Sequence, residues 1–156
     1  KYVLVIGDYL DKTNEKVLKI LENIDLKNLN IIYLLHPSNV KKMKSSKINI
    51  INLIDKNLLD KYQIESVIVP HISTAVIECY FKYKNVIVLV HDDMPNLSPM
   101  YLKKFDNYAY DSENLKNLLI KKDKYNKVKK IAFSDFFYTT KENNNWKKFL
   151  KDDPTK

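Results

Sequence analysis

An α/β Rossmann-like open sheet, mainly parallel and with helices on both faces, is the fold this sequence predicts. Three observations carry that prediction. Short continuous apolar runs recur along the chain, as suits strands buried on both faces of a sheet. Stretches with apolar residues at helical spacing stand between most of them, so strands and helices alternate as in βαβ units. The runs stop at turn residues: the only glycine, Gly7, then Pro37 and Pro70.

Residues 2–6 form the first apolar run, and a polar loop follows Gly7. Thr13 is the expected helix cap, ahead of Val17, Leu18, Leu21 and Ile24 at helical spacing. Residues 31–35 are the second strand. His36-Pro37 ends it, because proline lacks a donor and restricts its predecessor. Residues 48–51 are a weaker third strand, and Asp55 opens a short helix through Leu58 and Leu59. Residues 66–69 make the fourth strand, up to Pro70. A helix from Ser73 carries Val76, Ile77, Tyr80 and Phe81. Residues 85–90 are the fifth strand, and residues 91–98 a loop. Residues 105–110 read as a sixth strand, and Asp111 or Ser112 caps a helix over Leu115, Leu118, Leu119 and Ile120. A lysine-rich stretch, 121–130, is expected to be exposed. The segment 133–156 is expected to be an aromatic closing segment and a final helix anchored by Trp146 and Phe149.

The 156 residues suffice for one domain with a core of its own. A first residue other than Met, leading straight into a strand, suggests a piece of a longer protein. No apolar run reaches the roughly 18 residues of a membrane span. The single cysteine, Cys79, excludes an internal disulfide, and its apolar helical setting predicts a buried thiol. The net charge is +8, and all 27 basic residues are lysine. Arginine is the usual bidentate reader of guanine and phosphate, so its absence argues against sequence-specific nucleic-acid binding. An electrostatic preference for an anionic ligand or a membrane surface stays open beside plain composition bias.

In open α/β sheets, ligands bind beyond the carboxyl ends of the strands. The loops there hold Gly7 and Asp8, His36 and Pro37, His71, Ser73 and Thr74, and His91 and Ser98. All three histidines fall in these loops. Ser73-Thr74 at a helix start can add hydroxyls to unpaired amides that favour phosphate, or can simply cap the helix. His36 can donate to phosphate or serve as an acid, or be satisfied locally. His91 with Asp92-Asp93 lacks metal-ligand spacing, so no metal site is expected. GxGxxG and GxxxxGK[ST] are both absent, which argues against a dinucleotide enzyme or a P-loop NTPase.

Leu34-Leu-His36-Pro37, then Val67-Ile-Val-Pro-His-Ile-Ser73-Thr74-Ala-Val-Ile-Glu78, in this order at strand ends, resemble the C-terminal domain of GT-B glycosyltransferases. The likeness is to bacterial surface-carbohydrate biosynthesis proteins related to sialyltransferases and polysialyltransferases. Val5-Ile-Gly7-Asp8-Tyr9, Asn96-Leu-Ser98-Pro99, and the tail with Asp135 to Tyr138 and Trp146 to Leu150 are similar to the same group. Pro70-His71 departs from it, standing where small polar residues are usual.

The resemblance implies one half of a GT-B fold that binds a nucleotide-sugar donor, a CMP-linked sugar among the candidates, through Gly7, Asp8, His36, Pro37, Ser73, Thr74, Glu78 and Ser98. His36 would be the leaving-group acid. The base would lie in an N-terminal domain of the same chain, absent here, so the isolated domain would be inactive. No cofactor is implied, the nucleotide sugar being substrate. A cytoplasmic place follows, with contact at the inner-membrane surface as a further expectation. A UDP-sugar 2-epimerase-like domain and a non-catalytic α/β interaction domain remain as alternatives.

Overall fold

A computed structural model of the chain describes residues 2–24, 30–39, 41–91, 95–101, 105–120 and Phe136. The strands are β1 (Tyr2–Ile6), β2 (Asn30–Leu34), β3 (Asn49–Leu53), β4 (Ile64–Pro70), β5 (Val86–Leu89) and β6 (Tyr108–Ala109). The helices are α1 (Asp11–Glu22), α2 (Ala75–Lys82) and α3 (Ser112–Ile120), with a 3-10 helix over Lys56–Lys61. All six strands are parallel, in the order β3-β2-β1-β4-β5-β6. This is the predicted Rossmann-like open sheet.

The pleat sorts side chains onto two faces with a period of two. Val3, Val5, Ile31 and Tyr33 point to one face, where they meet Val17 and Leu21 of α1 and Leu115 and Leu119 of α3. Leu4, Ile32, Val67, Val69 and Val88 point to the other, where Val76 and Cys79 of α2 cover them. Helices thus pack on both faces, and the buried centres of β1, β2, β4 and β5 are mainly apolar because neither face reaches water there.

Several boundaries move for physical reasons. Helix α1 begins at Asp11, two residues before the predicted cap Thr13, which is buried inside the first turn. The Asp8 side chain accepts from Leu10 N at 2.8 Å and turns the chain into the helix earlier. The sixth strand shrinks to two residues, because β5 offers it only Val88 and Leu89 as partners. Two predicted starts hold: Asp55 accepts from Asn57 N and Asp111 from Asn114 N, opening the 3-10 helix and α3. The stretch 121–130, the final helix 143–150 and the aromatic run 133–138, apart from Phe136, lie outside the described residues. Phe136 packs edge-on to Phe81 of α2, ring centres 6.2 Å apart, against the core face opposite α3. Among the described residues no helix is long and apolar enough to cross a membrane.

Candidate functional site

The strand order reverses between β1 and β4. From β1 the chain returns through α1 toward β2, and from β4 it leaves through α2 toward β5 on the opposite face. The two turns part at the carboxyl edge and leave a crevice there, the usual ligand position in such sheets.

The β1 turn is a locked structure. Gly7 N donates to Leu34 O at 2.7 Å, holding the turn against the end of β2. A Cβ on Gly7 would stand 2.7 Å from that same oxygen, 3.0 Å from a Tyr33 ring carbon and 3.2 Å from His36 N. Glycine is therefore required by close approach of two backbones. Beyond it, Asn14 of α1 reaches back: its Oδ1 accepts from Asp8 N, and its Nδ2 donates to Asp8 O, both at 2.8 Å. Tyr33 OH donates to the same Oδ1 at 2.7 Å from within β2. Burial, reinforced by the Asp8 charge, pushes the Tyr33 hydroxyl well above the ordinary tyrosine range. The phenol therefore stays protonated and keeps donating.

The loop after β2 is pinned to α1. Asn39 Nδ2 donates to Asp11 Oδ1 at 2.6 Å, and Lys41 lies 3.1 Å from Glu15 and 3.8 Å from Asp11. The Glu15 hydrogen bond, then the Asp11 and Glu15 charges, raise the Lys41 ammonium above its usual range. His36 is half-buried, its ring 6.1 Å from that of Tyr9 across the two turns. Its Nδ1 accepts from Ser38 N at 3.1 Å. In the neutral ring the proton then belongs to Nε2, leaving that nitrogen as the donor. Pro37 is exposed beside it.

The β4 turn is shaped differently. Pro70 ends β4 as part of the ladder, opposite Leu89. Ser73 N donates to Pro70 O, closing a tight turn into α2. Ser73 Oγ accepts from Ala75 N at 3.3 Å, and Thr74, the N-cap, is exposed and makes no side-chain capping bond. His71 is fully buried, its Nδ1 3.3 Å from Leu89 O and its ring 5.4 Å from that of buried His91. Those two histidines form a packed layer at the ends of β4 and β5. The departure at Pro70-His71 is thus absorbed by the sheet and its edge, and the hydroxyl pair follows it.

Gly7, Asp8 and His36 are brought together by the paired ends of β1 and β2, with Pro37 next to them. Ser73 and Thr74 follow β4, the strand on the other side of β1. Glu78 is exposed, one turn into α2, with its carboxylate 3.9 Å from Lys56 Nζ. Ser98 is buried in the loop after β5, where its hydroxyl accepts from Met100 N at 3.3 Å. Asn14 and Tyr33, which hold the β1 turn, escaped the sequence reading. Their only signals were an asparagine on an amphipathic helix and a tyrosine inside an apolar strand.

The two helix starts differ in charge. At α1, Asp8 already accepts from the entering backbone and Asp11 sits in the first turn. The buried Asp8 carboxylate repels a further anion, while the exposed Asp11 is partly offset by Lys41. At α2 the first-turn acid is Glu78, partly offset by Lys56. Among the described residues no group of three His, Cys, Asp or Glu is placed to hold a metal. Fold and site together define the class: an open, all-parallel Rossmann-like α/β sheet with histidine- and hydroxyl-bearing loops around its switch point. Comparison with family models, with curated proteins and with solved structures finds no match.

Proposed function

We propose that this chain is the donor-binding half of a glycosyltransferase of surface-carbohydrate synthesis, acting on a nucleotide sugar in the cytoplasm. The observation that carries the reading is the start of α2. There a helix N-terminus without a side-chain cap from Thr74, next to the Ser73 hydroxyl, opens at the switch point. Such a start attracts phosphate through its dipole, by about 0.3–1 kcal/mol, and through its first-turn amides, where Ala75 N is held by a long 3.3 Å bond to Ser73 Oγ. The other helix start at this edge is already occupied by the buried Asp8 carboxylate, which favours α2 for a phosphate group.

In glycosyl transfer the bond from the anomeric carbon to the donor phosphate breaks, and the electron pair stays on phosphate oxygen. Preorganised donors aimed at that oxygen lower the barrier. The α2 amides and the Ser73 and Thr74 hydroxyls supply such donors, and Nε2–H of His36 supplies another from the β2 side. The rigid β1 turn, packed against the end of β2 at Gly7, fixes one wall of the crevice beside the donor. The catalytic base and the acceptor site belong to a second domain of the full-length protein.

The test is a titration of the isotope-labelled chain with CMP, UDP and CDP, followed by amide and side-chain NMR. Saturable shifts at Gly7, His36, Ser73 and Thr74, weakened at least tenfold in the Ser73→Ala/Thr74→Ala variant, are expected. A response confined to other surfaces, or unchanged in that variant, would refute the reading. A second copy or a partner protein shifting the same resonances without nucleotide would favour an interaction domain instead.

A further inference from the structure

The connection between β3 and β4 is short. It spans the sheet with a single 3-10 helix, Lys56–Lys61, where a crossover of this kind usually carries a full α-helix. Six residues at about 2 Å rise cover only about 12 Å. Helix α2 lies over β4 and β5 on the same face. The ends of β1 and β2 are left between them, and a cavity of about 100 Å³ opens there.

The floor of this cavity is Leu4, Ile6 and Leu34, with Leu59 on the 3-10 side and Ala75 and Cys79 on the α2 side. Its charged lining groups, Lys56, Glu78 and Lys82, belong to two ion pairs of reciprocal sense. Lys56 of the 3-10 helix meets Glu78 of α2 at 3.9 Å, and Lys82 of α2 meets Asp60 of the 3-10 helix at 3.8 Å. The four side chains are at least half exposed and the pairs are long, so they are weak and readily parted. Burial pushes the Cys79 thiol up to about 12, the Glu78 charge adding to this and Lys82 opposing it, so the thiol stays neutral.

We infer that this cleft is a binding pocket for a small uncharged apolar ligand, or the apolar arm of a larger one, about the size of a single six-membered ring. Size and lining set the class. An apolar cavity of about 150 Å³ admits benzene, so this smaller but open-sided one takes one ring and not two. A charged or strongly polar group on the floor would lose its water without a partner, which excludes it. The pocket shares Ala75 and Glu78 with the α2 end of the nucleotide reading, but it lies on the sheet face between the 3-10 helix and α2 and requires no anion.

The test uses toluene as probe, with naphthalene as the double-ring control, on the whole chain with methyl-labelled leucine and isoleucine. Saturable toluene shifts are expected at Leu4, Ile6, Leu34 and Leu59, with no matching response to naphthalene. Ala75→Leu fills the cavity and should weaken toluene binding at least tenfold while the remaining methyl spectrum stays native. Cys79→Leu, which fills it from the neighbouring helical turn, should do the same and serves if the first variant fails to fold. Absence of saturable shifts in the wild type, or their persistence in a folded cavity-filling variant, would overturn the proposal.

Discussion

Replacing Gly7 by alanine tests the geometry of the candidate site at its tightest point. The added Cβ would lie 2.7 Å from Leu34 O and 3.2 Å from His36 N, both backbone atoms, and 3.0 Å from the Tyr33 ring. None of these is the free end of a flexible side chain. Tyr33 is fully buried and held by Asn14, so the ring cannot swing aside cheaply. Relief requires β1 and β2 to part at their carboxyl ends, which stretches the 2.7 Å bond from Gly7 N to Leu34 O. Overpacking of this kind costs about 1–3 kcal/mol, and a weakened backbone bond about 1 kcal/mol more. Gly7→Ala should therefore lose about 2–4 kcal/mol, or roughly 5–15 °C in Tm at this chain length. Urea unfolding followed by far-ultraviolet circular dichroism measures it. A variant within about 0.5 kcal/mol of wild type, the ordinary scatter of neutral changes, would show that the two strand ends are not packed as described.

Tyr33 predicts a pH effect. Its hydroxyl is raised above the ordinary tyrosine range in the fold, so the unfolded chain gives up this proton first as pH rises. The linked stability is complete below about pH 10 and falls as pH climbs above that value. Tyr33→Phe should flatten the alkaline limb of a stability–pH curve, and an unchanged limb would contradict the burial. It should cost only about 1 kcal/mol at neutral pH, since Asn14 Oδ1 keeps its bond from Asp8 N. Phe136 predicts a coupling. A double-mutant cycle of Phe136→Ala with Phe81→Ala should return about 0.5–1.5 kcal/mol for the edge-on pair, and additivity of the two losses would deny the contact.

The central strands were legible because burial on both faces writes a continuous apolar run, as in Val86–Leu89; the edge strand β3, with Asn49 and Asn52, carries a weaker signal. Helix starts were legible where the cap is local. Asp55 and Asp111 each accept from a nitrogen two or three residues on, and sequence shows that spacing directly. The start of α1 was not: Asp8 accepts from Leu10 N at the same local spacing, but what fixes Asp8 there is Asn14, itself held by Tyr33, across 6 and 19 residues. Long-range polar contacts of this kind leave no periodicity. Placing the loops at one edge followed from the parallel order alone, whereas the cavity beside α2 depends on how little surface a short 3-10 crossover covers.

The same distinction bears on the candidate site. Asp8 and Ser73 occupy equivalent places, each near the end of a strand at the switch point and each before a helix. A sequence reading treats both as polar turn residues available to a ligand. In the fold Asp8 is buried, with its carboxylate on Leu10 N and its own backbone groups held by Asn14. It serves to rigidify the turn. The Ser73 hydroxyl accepts from Ala75 N in its own helix start, at a longer 3.3 Å, and Thr74 beside it is exposed. An incoming oxyanion can replace the Ser73 bond at α2 with little loss, but to reach the α1 start it would have to displace a buried carboxylate. The difference in reach and charge between two superficially similar turns is the reason the proposed function gives structural work to the β1 turn and ligand contact to the β4 turn.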